Sequence, residues 1–248
     1  MPAPGKRLAL LALCVSGTLL FVALGAWQIQ RLAWKRDLVA RVDARIHAPP
    51  VAIPGRGEWA TLDAHDAEYR RVQARGVFRH DRETRVDALT QRGAGWWVLT
   101  PLETAQGTVL INRGFVVPAQ RDPSTRAAGQ AHGDVVVTGL LRVSEPRGRI
   151  LRDNEPALDR WFSRDVAAIA QARGLTDVAP FFIDADATAN AGGAPLGGLT
   201  VVQFRNAHLA YAATWLALAA MCVAGLVLAR RAPNEETRSC GPLVTPES

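Results

Sequence analysis

The sequence predicts a membrane protein in which two transmembrane α-helices form a hairpin around an extramembrane domain. That domain reads as mainly antiparallel β, barrel- or sandwich-like, with one helix. Three observations predict this. Residues 8–30, between Arg7 and Arg31, carry no charge, and neither do residues 206–229, between Arg205 and Arg230. Both runs exceed the ~18 apolar residues that mark a membrane-spanning helix. Between them lie short apolar runs bounded by turn residues, the pattern of strands rather than of alternating strands and long helices. The chain divides accordingly into a tail over 1–7, a span over 8–30, the domain over 31–205, a span over 206–229 and a tail over 230–248.

The first span follows Lys6 and Arg7. It is longer than the ~7–15 apolar residues of a signal peptide, and Leu24 fits poorly three residues before a cut at Ala26, so the span is expected to be an uncleaved anchor. The helix is expected to continue as a stalk over 31–47, because Trp27, Trp34, Leu38, Val42 and Ile46 recur at spacings of four and seven. Pro49 and Pro50 stop it.

A Gly- and Pro-rich loop over 49–67 precedes the strands. Over 69–78, Val72, Ala74, Gly76 and Phe78 alternate with Arg71, Gln73 and Arg75. Strands are expected over 84–89, 96–102, 108–111, 134–142, 181–184 and 199–204. A helix interrupts them, with Ser163 as its cap, Asp165 favouring its N-terminal dipole, Gly174 at its end, and Val166, Ile169 and Ala170 buried. No parallel strand–helix–strand alternation is visible. The second span ends at Arg230 and Arg231, and Pro233 prevents continuation.

Charge and motifs narrow the function. Lys and Arg number 29 against 23 Asp and Glu, but residues 30–206 hold 24 basic and 20 acidic groups, scattered among one another. That is not the clustered basic face of a nucleic-acid binder. Cys14 and Cys222 lie in the spans and Cys240 in the tail, so the interior has no disulfide framework, no C-x-x-C pair and no C-x-x-C-H haem attachment. No G-x-S-x-G or H-E-x-x-H motif occurs. The glycines of 190–198 lack the G-K-[ST] ending of a phosphate loop. His47, His65, His80 and His132 stand in polar surroundings and read as solvated.

The unusual chemistry lies where the second span begins. On a helix from about Asn206, His208, Tyr211 and Trp215 are expected to share a face. An ionisable group entering a membrane is costly unless it is paired and is therefore a functional candidate. A neutral imidazole is also an axial ligand for haem iron, and Arg205, three residues away, suits a carboxylate such as a haem propionate.

Several segments resemble one family. Gly25-Ala26-Trp27-Gln28-Ile29-Gln30-Arg31-Leu32-Ala33-Trp34-Lys35 is similar to the G-x-W-Q-x-x-R-x-x-W-K motif that closes the first span in the surfeit locus protein 1 family. The run from Arg205 through His208 and Tyr211 to Trp215 resembles the start of its second span. Between them, Tyr69-Arg70-Arg71-Val72 with Gly76-Val77-Phe78, Trp97-Val98-Leu99-Thr100-Pro101, and Val109 through Val116 match in order. So do Gly139-Leu140-Leu141-Arg142 with Glu145-Pro146, and Trp161-Phe162 with Asp165. Phe115 stands where the family usually has Trp, and Val117 lengthens the approach to Pro118. The likeness covers roughly residues 25–220.

The resemblance implies a non-enzymatic cytochrome c oxidase assembly factor that binds haem a transiently and aids its insertion into oxidase subunit I. It implies His208 as the iron ligand, with Arg205, Tyr211, Trp27 and Arg31 around the cofactor. The implied partners are subunit I, other oxidase assembly factors or haem a synthase, and the lipid bilayer. The implied location is a bacterial inner membrane, with both termini cytoplasmic and the large domain periplasmic; a long Arg- and Ser-rich leader is not seen. The alternative is a scaffold that stabilises a subunit I intermediate without carrying haem, acting through a surface around Asn112, Arg113 and Gly114. A membrane-tethered hydrolase is the third possibility.

Overall fold

The computed structural model describes residues 4–148, 152–200 and 207–231. Its elements are α1 (Pro4–His47), β1 (Val51–Ala52), α2 (Ala64–Ala67), β2 (Arg71–Phe78), β3 (Thr84–Thr90), β4 (Gly93–Thr104), β5 (Gly107–Val116), β6 (Asp134–Val143), α3 (Val166–Arg173), β7 (Val178–Ala185) and α4 (His208–Arg231). They fall into two compact units, Met1–Val39 with Phe204–Ser248, and Ala40–Gln203. α1 and α4 are both long and apolar enough to cross a membrane. α1 runs without a break through the stalk to His47.

In the first unit α1 and α4 pair antiparallel. The less exposed positions include, on α1, Leu11, Cys14, Thr18, Phe21, Gly25, Gln28 and Leu32, and, on α4, His208, Ala212, Trp215, Ala219, Cys222 and Leu226. Both series step by three and four alternately, the seven-residue repeat with which two helices keep one seam in register. Contacts along the seam run in opposite order. A Cβ on Gly225 would meet Cys14 Sγ, one on Gly17 would meet Cys222 Sγ at 3.1 Å, and one on Gly25 would meet Leu216 Cδ2 at 3.3 Å. Phe21 stacks on Trp215 with centroids 5.8 Å apart. Small residues at these positions let the backbones approach, the usual means of association where lipid removes the hydrophobic drive. Thr18 and Thr214 return their hydroxyls to the carbonyls of Cys14 and Ala210, so neither is left unsatisfied in an apolar setting.

Of the face expected to recur along the stalk, Val42 is buried and Leu38 and Ile46 are half-buried, whereas Trp27 and Trp34, about half exposed, stand off the seam that holds Gln28 and Leu32. Tyr211 is likewise off the seam that holds His208 and Trp215.

The second unit is a closed barrel. β2 pairs with β6, β6 with β7, β7 with β5, β5 with β4, and the far end of β4 returns to β2 through Gly76 opposite Thr104 and Phe78 opposite Leu102. β4 has three partners, β5 along one edge and β3 then β2 along the other. Its first half pairs with β3, a bulge between Trp97 and Leu99 turns it, and its second half closes the ring. Closure settles the expected barrel-or-sandwich choice and leaves few free edges. Two ladders are parallel, the short β1–β2 pair and β5 with β7, in a sheet that is otherwise antiparallel as expected; β6 and α3 lie between β5 and β7 in the chain and supply the crossover length. Of the strand expected over 199–204, Leu199 and Thr200 are irregular and the rest lies outside the described residues.

β5 and β7 are buried on both faces, which is why Val109-Leu110-Ile111 and Phe181-Phe182-Ile183 read as continuous apolar runs. Val109, Ile111, Phe181 and Ile183 join Val72, Ala74, Leu102 and Leu141 in the barrel interior. Leu110 and Phe182 point the other way, to Val86, Leu99, Trp161 and the α3 residues Val166 and Ile169. The α3 cap is Asp165, whose carboxylate accepts from the Ala168 N–H at 3.1 Å. Ser163, expected as the cap, instead accepts from the Gly148 N–H and Asn154. Gly174 ends the helix in the left-handed conformation at φ 58°, as expected.

Candidate functional site

The polar centre of the first unit is a pair that joins the two spans. His208 Nδ1 lies 2.8 Å from Gln28 Oε1. An amide oxygen only accepts, so Nδ1 carries the hydrogen and donates it. The neutral ring is then the Nδ1–H tautomer, with its basic lone pair on Nε2. Gln28 is 9% exposed and sits in the seam, so the amide is held by packing as well as by the bond.

The expected site residues gather beside this pair. Trp27 precedes Gln28, Arg31 precedes Leu32, and Tyr211 precedes Ala212, so each stands one residue before a seam position. In an antiparallel pair with 100° per residue, these positions lie on the same flank of the seam. Trp27 and Tyr211 are 54% and 56% exposed there. Arg31 lays its guanidinium over the Trp34 ring, 4.2 Å from the centroid. Arg205 lies outside the described residues. Sequence reasoning missed Gln28. The available signals were an amide inside an otherwise apolar stretch and the seven-residue period that runs through Cys14, Phe21 and Gln28.

The barrel has its own polar centre around Asp184 on β7, which is 3% exposed. Its carboxylate accepts from Asn112 at 2.7 Å, Arg142 at 2.9 Å, Arg164 at 3.1 Å and Thr200 at 3.0 Å. Glu145 accepts from Arg164 Nη2 at 2.5 Å. Burial works to raise the Glu145 pKa, but the hydrogen bond and charge of Arg164 outweigh it and hold the carboxyl below its ordinary value. Burial likewise works against the Arg164 cation, and Asp184 and Glu145 reverse it, leaving that pKa raised. A cavity of about 510 Å³ opens beside Arg92, Arg142 and Arg164. With every carboxylate answered by an arginine, the cluster fixes β5, β6, β7 and the chain at Thr200 to one another.

Two expectations for this unit change. Asn112 and Arg113 are 4% and 2% exposed, so they belong to the interior and not to a docking surface. His80 is half-buried rather than solvated. Its Nε2 donates to the Ala131 carbonyl at 2.8 Å, its ring packs on Phe78, and its Nδ1 is buried without a partner. Burial, the largest influence, lowers its pKa below 6.5. Among the described residues no group of three or more His, Cys, Asp and Glu is placed to hold a metal ion.

A hairpin of two membrane-length helices, with a closed β-barrel in the intervening chain and a histidine–amide pair in its seam, defines a membrane-anchored β-barrel protein. The SURF1 family model matches residues 16–220. The chain is 38% identical to Surfeit locus protein 1 of Homo sapiens over 217 residues, covering 79% of this chain and 69% of that protein. It is 36% identical to Surfeit locus protein 1 of Mus musculus, covering 79% and 68%, and 37% identical to the SURF1-like protein of Monosiga brevicollis, covering 84% and 82%. The chain belongs to the SURF1 family.

Proposed function

We propose that this chain is a cytochrome c oxidase assembly factor that binds haem a at His208 and hands it to oxidase subunit I. Family membership supports the role in oxidase assembly. The observation that carries the haem reading is the bond from His208 Nδ1 to Gln28 Oε1. A histidine that ligates a metal donates its other ring N–H to a fixed acceptor, which sets the ring's orientation and tautomer. Gln28 supplies that acceptor, and iron ligation would go through Nε2.

The surroundings fit the same group. Trp27 and Tyr211 offer aromatic surface on one flank of the seam. Arg31, held over Trp34, suits a propionate on that flank, and Arg205, three residues before His208 in sequence, is a second guanidinium of the same chemistry. Haem a, when bound, brings the redox centre that the oxidase requires. The chain's own residues bind and orient it and catalyse nothing. One imidazole in the seam beside an exposed aromatic flank, rather than a closed pocket, suits release to a partner. Subunit I, haem a synthase and other assembly factors are the partners this reading names, at a bacterial inner membrane with the barrel on the periplasmic side.

The test is complementation. In cells lacking this chain, the wild type restores assembled, haem-loaded oxidase, and His208→Ala restores much less at equal membrane abundance. Full restoration by His208→Ala favours the scaffold that carries no haem.

A further inference from the structure

The barrel unit holds a buried cation whose counter-charge is already taken. Arg113 on β5 is 2% exposed. Its Nη2 donates to the Gly129 carbonyl and to Asn190 Oδ1 at 3.0 Å, while Nε and Nη1 are buried with no hydrogen-bond partner. Phe78 covers the guanidinium, 5.0 Å from ring centroid to Cζ. Glu83 is the carboxylate that acts on it, but Arg126 grips both Glu83 oxygens, at 2.9 and 2.5 Å, with side chains 2% and 5% exposed. Two guanidinium groups therefore share one carboxylate in the interior, and one positive charge is left over. Burial pushes the Arg113 pKa down to about 10, and Arg126 adds to the fall. Interiors seldom leave such a group unanswered.

Beside Arg113 lies a cavity of about 240 Å³. Arg113, Thr188 and Asn190 give it a polar side, and Phe78, Ile111 and Val137 an apolar one. Asp186 also lines it, its carboxylate accepting from the Thr188 N–H at 3.0 Å and lying 4.0 Å from Arg71, which offsets its charge. We propose that this cavity binds a carboxylate carried on a short apolar chain, with the carboxylate answering Arg113 and the chain lying against Phe78, Ile111 and Val137. The surplus is a single charge, Asp186 disfavours a dianion, and the apolar wall offers no donors for the further oxygens of a phosphate. The same chemistry is presented by a free short-chain carboxylate and by the C-terminus of a partner protein. The site is independent of haem and of His208.

Titration calorimetry on the detergent-solubilised full chain tests this with sodium butyrate, sodium chloride at equal ionic strength, and the dipeptide acetyl-Ala-Val as free acid and as amide. Butyrate is expected to bind saturably and chloride not. Arg113→Met is expected to weaken butyrate at least ~10-fold, as for loss of a hydrogen-bonded charge. Ala131→Leu, which fills the cavity and keeps Arg113, is expected to do the same, so the test survives if Arg113→Met does not fold. Tighter binding of the free-acid peptide than of butyrate, lost in the amide, assigns a partner's chain end; otherwise the ligand is a free carboxylate. Absence of saturable binding by both, or butyrate binding unchanged in Ala131→Leu, overturns the proposal.

Discussion

His208 and Gln28 stand 180 positions apart in the chain and share one hydrogen bond of 2.8 Å across the helical seam. Each satisfies the other where water is scarce, and together they set which ring nitrogen is basic. In the proposed haem site Gln28 would act through His208 as a positioning residue.

Removing the acceptor should loosen the ring without removing the ligand. Gln28→Ala is expected to weaken haem retention by about 10–100-fold, as outer-shell changes do at metal sites. Gln28→Glu, which keeps an acceptor oxygen, should retain most of it. The checks are haem titration of the purified variants and the position of the optical bands; equal retention in Gln28→Ala and wild type would show that Gln28 does not orient the ring.

The hairpin depends on close approach at Gly25, where a Cβ would already stand 3.3 Å from Leu216 Cδ2. Gly25→Leu is expected to force the helices apart at that level. Phe21 and Trp215 stack in the adjacent turn, so a Phe21→Cys, Trp215→Cys pair in a Cys14→Ser, Cys222→Ser, Cys240→Ser background should cross-link readily under mild oxidant. Adding Gly25→Leu should lower that yield sharply.

In the barrel unit, Glu83→Gln leaves Arg113 and Arg126 buried with no carboxylate between them. Breaking a buried pair costs about 3–5 kcal/mol. For a domain of this size that is a fall in Tm of roughly 6–20 °C, readable by thermal melting. Exposed pairs such as Arg75 with Asp134 should cost little when broken, about 1 kcal/mol or less.

His80 sets a pH dependence. Its folded pKa lies below 6.5 because burial disfavours the imidazolium. The unfolded chain therefore takes up the proton first as pH falls, so stability is full above 6.5 and declines as pH drops through the folded value. Melting curves from about pH 8 to about pH 5 should show that decline, and His80→Gln should flatten it.

Much of this was legible in the sequence because the relevant patterns are local. Val72, Ala74 and Gly76 alternate as a half-buried strand must, and the uncharged runs between arginines announce the two long helices. The parallel β5–β7 ladder was not legible, since Val109 to Ile111 and Phe181 to Ile183 are apolar throughout and carry no alternation from which to read a partner. Ser163 lost the capping role to Asp165 because Asn154 and the Gly148 N–H compete for its hydroxyl. For the site, His208 stood out as an ionisable group in an apolar run. Gln28 did not, because Trp27 and Trp34 are also seven apart and drew the helical face one residue aside. The burial of Arg113 rests on loops distant in sequence, at Gly129 and Asn190, which no local pattern connects.

In the proposed function the His208 imidazole, oriented by Gln28, takes haem a. The most direct measurement is the optical spectrum of the full chain purified in detergent from cells that make haem a. The wild type is expected to show a haem a spectrum that is lost in His208→Ala protein recovered from the membrane in equal amount. A colourless wild type, or an unchanged spectrum in His208→Ala, would contradict it.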